Sequence, residues 1–204
     1  TLNEKIVESM IIAGRSANAA GVPVIFDPVG AGASRLRNEA AARIVKEVRV
    51  SVIRGNISEA GFMLGTSRGA KGVDASEGDE GNDVGRAASA LARGLGCVAA
   101  VTGAADAVSD GRRTVLVQNG HPFLSKVTGT GCMCSSLAGA FCGASPGAVF
   151  EASAAALITM GIAGEIAFER AGASGAGSFH IAVIDAVSAM TEEILASRAK
   201  LYEA

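Results

Sequence analysis

The chain has 204 residues, 49% of them hydrophobic and 19% charged, which suits one domain with a substantial buried core and excludes a disordered segment. A net charge of −2, no Trp and one Tyr offer neither the basic footprint nor the stacking surface of a nucleic-acid binder, so no nucleic-acid partner is expected. No apolar run is expected to reach the roughly 18 residues that cross a bilayer, and the N-terminus lacks the basic-then-apolar layout of a signal peptide.

In chain order, "TLNE" has the Thr-x-x-Glu form of a capping box, with Ile6, Met10 and Ala13 continuing one helical face until Gly21 and Pro23 end it. "VPVIF" (22–26) is a continuous apolar run, the mark of a strand buried on both faces. The pattern then predicts a helix over 37–48, a strand over 50–54, helices over 56–64 and 82–95, and a strand over 97–102. Alternation of this kind implies parallel βαβ units. The glycine-rich acidic stretch 69–83 reads as a loop, either a solvated connector or a lid beside a ligand. "DAVSDGRRTVLVQNG" predicts a hairpin about Asp110-Gly111, and helices over 130–143, 146–170 and 179–200 follow. There is no internal repeat, so residues 1–204 are expected to form a single domain. A parallel α/β domain usually opens on a strand, whereas this sequence opens at a helix cap.

Four sequence positions carry groups suited to phosphate or metal. "GTGC" (129–132) opens a helix whose first amides have no partners and carry the positive end of the dipole, so Gly129, Thr130, Gly131 and Cys132 form a candidate anion hole. The bland alternative is a tight turn. Asp27, in "DPVG", leaves a buried strand where open α/β sheets place ligands, and could hold Mg²⁺ or merely form a turn. "IRGNISEAG" (53–61) supplies Arg54, Asn56 and Glu59 after another strand, although Asn56 with Glu59 could equally cap the next helix. Thr102-Gly103 closes a third strand. Neither the P-loop motif nor the dinucleotide fingerprint is present.

At "DPVGAGAS" (27–34), "VIRGNISE" (52–59), "KGVDAS" (71–76), "VTG" with "DAVSDG" (101–111) and "VTGTGCM" (127–133), the sequence resembles the hydroxyethylthiazole kinases of the ribokinase-like superfamily. The resemblance implies a ribokinase-like three-layer α/β domain with a mostly parallel central sheet flanked by helices. The family's N-terminal strands, and a methionine that contacts the thiazole, would precede residue 1, and Met10 is not that methionine. The implied activity is ATP-dependent phosphorylation of the hydroxyl of 4-methyl-5-(2-hydroxyethyl)thiazole, with Mg²⁺, in thiamine salvage. Arg54 and Thr102 match the family's ATP contacts, Gly129 a substrate contact, and Asn56 with Glu59 the element that organises magnesium and phosphate. A homotrimer with active sites between subunits is implied, while the four cysteines, read as reduced thiols, lead to the expectation of a cytoplasmic protein.

Related kinases carry Asp where Cys132 stands, as base toward the alcohol. Cys132 could accept that proton or only pack against substrate. Cys97, Cys134 and Cys142 fall in apolar company, match no zinc spacing and are expected to be reduced thiols in the core. His121 is expected in a loop, and His180 near the start of the last helix has no evident partner. The alternatives are an ATP-dependent NAD(P)H-hydrate dehydratase of the same fold and a non-catalytic nucleotide-binding subunit.

Overall fold

The computed structural model describes residues 2–68 and 80–204. Among these, six strands form one sheet: β1 (Ile25–Phe26), β2 (Val52–Asn56), β3 (Val98–Thr102), β4 (Asp106–Ser109), β5 (Thr114–Val117) and β6 (Leu201–Glu203), side by side in that order. β1, β2 and β3 run parallel, as intervening helices require, whereas β3 to β6 pair antiparallel. The sheet is therefore mixed, and its parallel part is the half that positions the candidate site. The predicted hairpin is present, its turn closed by Asp110 Oδ1, which accepts from the amides of Arg112 and Arg113 at 2.9 Å each.

Helices cover both faces. α1 (Glu4–Ala19), α2 (Arg35–Glu47), α3 (Ile57–Arg68) and α4 (Glu80–Leu95) lie over one, sharing a core with Ile53, Ala99, Val101 and Ala107 of the strands. α5 (Thr130–Ala144) and α6 (Val149–Ala171) lie over the other, against Val52, Ala100, Val108 and Val117. α7 (Ala176–Ser188) packs outside α6, and α8 (Glu192–Arg198) leads into β6. The strand residues alternate between these two cores, as the two-residue period of a strand demands. The result is the expected three-layer α/β architecture, one sheet between two layers of helices.

Several expectations need correction. The cap of α1 is Asn3, whose Oδ1 accepts from the Ile6 amide at 3.0 Å, and Thr1 of the expected capping box lies outside the described residues. β1 is only two residues long. The helix expected over 179–200 is two, because Thr191 caps a new one by accepting from the Ile194 amide at 3.2 Å. β6 is a strand that no pattern in the sequence marks, formed by pairing with β5. The segment Val149–Ser174 is, by length and a mean hydropathy of 1.4, apolar enough to cross a membrane, contrary to expectation. Of its most apolar 18 residues 78% are buried within the protein, and the segment forms the central core helix. Residues 69–79 of the expected acidic loop, with "KGVDAS", fall outside the described residues, while 80–83 already belong to α4.

Candidate functional site

Parallel pairing places the carboxyl ends of β1, β2 and β3 at one edge of the sheet, the edge where open α/β folds bind ligands. Asp27 follows β1, Arg54 and Asn56 lie near the end of β2, and Thr102 ends β3. Arg54 shares a strand face with Val52, whose core lies under α5 and α6, so its guanidinium reaches toward the start of α5. Nη1 donates to Asp27 Oδ2 at 3.3 Å and Nη2 to Thr102 Oγ1 at 3.0 Å. The arginine and aspartate side chains are only 12% and 14% exposed, so this ion pair is shielded from solvent. Arg54 Nε is buried with no partner among the described residues. A buried donor left unpaired costs about 1–3 kcal/mol, which a ligand oxygen there would relieve.

The glycine turn completes the constellation. Gly129 caps α5 with φ of 97°, a left-handed conformation that residues with a Cβ rarely adopt, and no side chain caps the helix. The first intrahelical bond runs from the Met133 amide to the Gly129 carbonyl at 2.8 Å. Helix geometry therefore leaves the amides of Thr130, Gly131 and Cys132 without intrahelical acceptors, at the positive end of the dipole. The Thr130 hydroxyl points away from this role, donating to the Leu124 carbonyl at 3.1 Å. Gly131 has another reason to lack a side chain: a Cβ there would stand 2.9 Å from Arg54 Nη1. The turn and the guanidinium are in contact.

Asn56 and Glu59 form the reciprocal capping box that the sequence allowed. Asn56 Oδ1 accepts from the Glu59 amide and Glu59 Oε2 from the Asn56 amide, both at 2.9 Å. Glu59 Oε1 accepts from the Gly30 amide at 2.8 Å, so one buried carboxylate fastens both the "DPVG" turn and the start of α3. No group of three or more His, Cys, Asp or Glu able to hold a metal occurs among the described residues.

Two further side chains adjoin the site that no sequence motif marks. Ser135 Oγ lies 2.6 Å from Asp27 Oδ2. Asp106 Oδ1 accepts from the Gly103 amide at 3.0 Å. Burial pushes the Asp106 carboxyl up to about 6, with the Gly103 amide and the Arg54 charge pulling the other way. A serine one turn past Gly131 and an aspartate three residues past Gly103 were visible signals, but neither carries a motif by itself. Cys134 is a core residue whose thiol burial pushes up to about 11. His121 does sit at the end of a loop, its Nδ1 accepting from the Phe123 amide at 3.2 Å and its ring stacked on Phe168 with centroids 3.7 Å apart. His180 Nε2 is buried without a partner among the described residues.

Cys132 is exposed on the outer side of α5. Beside it an open, largely apolar groove of about 450 Å³ runs between α5 and α7, lined by Gly129, Cys132, Met133, Ser136, Leu137, Ile184 and Val187. The anion-binding turn and an apolar groove thus meet at Gly129 and Cys132.

The chain is similar to known proteins over its whole length. The model of the hydroxyethylthiazole kinase family matches residues 1–193. A hydroxyethylthiazole kinase of Ruminiclostridium cellulolyticum is 54% identical over 204 residues, covering 100% of this chain and 74% of the relative. One of Clostridium beijerinckii is 52% identical over 206 residues, again covering 100% and 74%. The solved hydroxyethylthiazole kinase structure from Pyrococcus horikoshii OT3 superposes with a TM-score of 0.88 at 38% identity, over 100% of this chain and 74% of that one.

Proposed function

The chain belongs to the hydroxyethylthiazole kinase family, and from that premise we propose that it transfers the γ-phosphoryl group of ATP to the hydroxyl of 4-methyl-5-(2-hydroxyethyl)thiazole, as in thiamine salvage. The observation that carries the site assignment is the meeting of three strand ends with the α5 N-terminus. There Arg54 bonds both Asp27 and Thr102 and rests against Gly131. The dehydratase and the non-catalytic subunit are not favoured by the family to which the chain belongs.

Phosphoryl transfer passes through a loose transition state, so positioning and charge neutralisation carry most of the catalysis. In this reading the amides of Thr130, Gly131 and Cys132, with Arg54, neutralise the equatorial oxygens of the group in flight. Thr102 and Asn56 complete the ATP contacts. Gly129 and the groove at α5 and α7 hold the thiazole, with its alcohol toward Cys132. Cys132 takes the alcohol proton.

Mg²⁺ belongs to the same proposal. Carboxylate oxygens are the hard donors that this ion selects, and one or two carboxylates with phosphate and water are its usual set. Asp27 is the residue proposed to hold it. Glu59 has both oxygens on backbone amides, so its part is through water. When bound, the ion supplies further neutralisation of phosphate charge. A single kinase domain, assembled as a cytoplasmic homotrimer with the groove between subunits, completes the reading.

The test is transfer from γ-labelled ATP with Mg²⁺ to hydroxyethylthiazole, hydroxymethylpyrimidine and pyridoxal in parallel. Label on the thiazole alcohol well above the other two is expected, and transfer to none of them would overturn the proposal. If Cys132 is the base, Cys132→Ala lowers kcat by roughly 10²–10⁴-fold while Cys132→Asp retains activity. A loss under about threefold for the alanine variant removes the base role and leaves Cys132 a packing residue.

A further inference from the structure

We propose that Ser135 is a positioning residue for phosphoryl transfer, tying the helix that opens at the glycine turn to Asp27 and, through Asp27, to Arg54. The inference rests on the reading of Asp27 and Arg54 as part of the transfer site.

Ser135 lies four residues after Gly131, one turn along the same face of α5. Its Oγ is 2.6 Å from Asp27 Oδ2 and 3.3 Å from the Gly131 carbonyl. A hydroxyl has one proton to give, and the much shorter of the two distances assigns it to the Asp27 carboxyl oxygen. Its neighbour Ser136 shows the ordinary behaviour of a helical serine, donating back to the Cys132 carbonyl at 2.9 Å. Ser153 and Thr159 on α6 do the same, to Val149 and Ala155 at 2.7 Å each. Ser135 departs from that pattern to reach a carboxylate on another element.

Asp27 Oδ2 thereby receives donors from two sides, the hydroxyl of α5 and the guanidinium of β2. Arg54 is held in turn by Thr102 on β3. A chain of polar contacts thus runs from α5 through all three parallel strand ends. It matters because Arg54 Nη1 sits where a Gly131 Cβ would be 2.9 Å away. A small sliding of α5 would press the turn onto the guanidinium or draw the free amides away from it. Ser135 fixes that spacing, so that the amides and the arginine charge present themselves to one phosphoryl group together.

The experiment is a kinetic cycle of Ser135→Ala, Asp27→Ala and the double variant, with melting temperatures to confirm folding. One hydrogen bond to a charged group leads us to expect Ser135→Ala to lower kcat by about 10-fold, with the KM for ATP changed less than about threefold. In the Asp27→Ala background the same substitution is expected to change kcat by less than about twofold, because its partner is gone. Equal losses in both backgrounds would overturn the proposal. Ser135→Thr offers a second reading without a double variant: recovery to within about threefold of the parent supports it, and alanine-like rates overturn it. If Asp27→Ala and Arg54→Ala themselves leave kcat unchanged, the site assignment fails rather than the role of Ser135.

Discussion

Gly129 and Gly131 show how two residues can meet two different demands that the sequence shows as one. The "GTGC" pattern reads as two glycines that let an anion approach a helix start. In the structure the tasks divide. Gly129 supplies a backbone conformation, with φ of 97°, whereas Gly131 makes room for Arg54 Nη1. The clashing atom is the far end of a flexible side chain, so the guanidinium rather than the backbone gives way, at the cost of its bonds to Asp27 and Thr102. Gly131→Ala is therefore expected to change the urea midpoint little, since a helix-propensity gain of up to about 1 kcal/mol offsets the bonds Arg54 loses. The displaced guanidinium is expected to lower kcat by roughly 10-fold or more, as loss of a preorganised charge does. A joint fall in stability and rate would instead make Gly131 a packing residue. The capping box of Asn56 and Glu59 was legible because its partners are three residues apart. The contacts of Arg54 with Asp27 and Thr102, and of Ser135 with Asp27, were not, because they join segments that only the sheet brings together.

At the scale of elements, α6 is the piece on which the layers are assembled, and its glycines are placed by contact. A Cβ on Gly161 would meet Asn119 Cβ at 2.6 Å and its backbone carbon and oxygen at 2.7 Å. Those backbone atoms follow β5 and cannot turn away. The Asn119 side chain also holds the approach to β6, donating to the Arg198 carbonyl at 2.9 Å and accepting from the Lys200 amide at 2.8 Å. Gly161→Ala is expected to destabilise by about 1–3 kcal/mol through overpacking, against a helix-propensity gain of about 1 kcal/mol. Gly61→Ala on α3, where a Cβ meets nothing within 4 Å, is the control, expected to be neutral or stabilising. Urea midpoints of the two variants decide it, and equal midpoints would dismiss the packing argument. The long apolar run made α6 visible in the sequence, but the same run hid which glycines touch what. β6 was invisible for the opposite reason: Leu201, Tyr202 and Glu203 are exposed and carry no burial pattern, and only pairing with β5 makes them a strand. The break before α8 was legible in principle, since Thr191 precedes Glu192 and Glu193, an N-terminal signature within the apparently continuous helical run.

For the whole molecule, alternating strand and helix signals disclosed the α/β layering and the common edge of β1, β2 and β3. They could not disclose that the remaining half of the sheet is antiparallel through β6, since that depends on the return of the chain after α8. The electrostatics of the site also belong to this scale, because the fold holds Asp106 against its own preference. Burial raises its carboxyl from an ordinary 3.8 to about 6. Between those values the folded state binds more protons than the unfolded one, so this group's contribution to stability is full below about pH 4 and is lost as pH rises through about 6. The shift corresponds to roughly 3 kcal/mol. Glu165 is shifted the other way: although burial opposes it, the Gly120 amide, Lys200 and Asn119 together lower it. Its contribution is present above the ordinary glutamate range and is lost on acidification. Unfolding free energy measured across pH 3–8 is therefore expected to fall between about pH 4 and 7. Asp106→Asn keeps an oxygen for the Gly103 amide but cannot ionise, so it should flatten that limb and exceed the parent in stability at pH 8. Superimposable curves would show that Asp106 titrates as an ordinary surface carboxylate. A flattened curve accompanied by weaker ATP turnover would show why the fold keeps an acid there: the charge that lowers stability is within electrostatic reach of Arg54, and sites of chemistry are where local and global demands part.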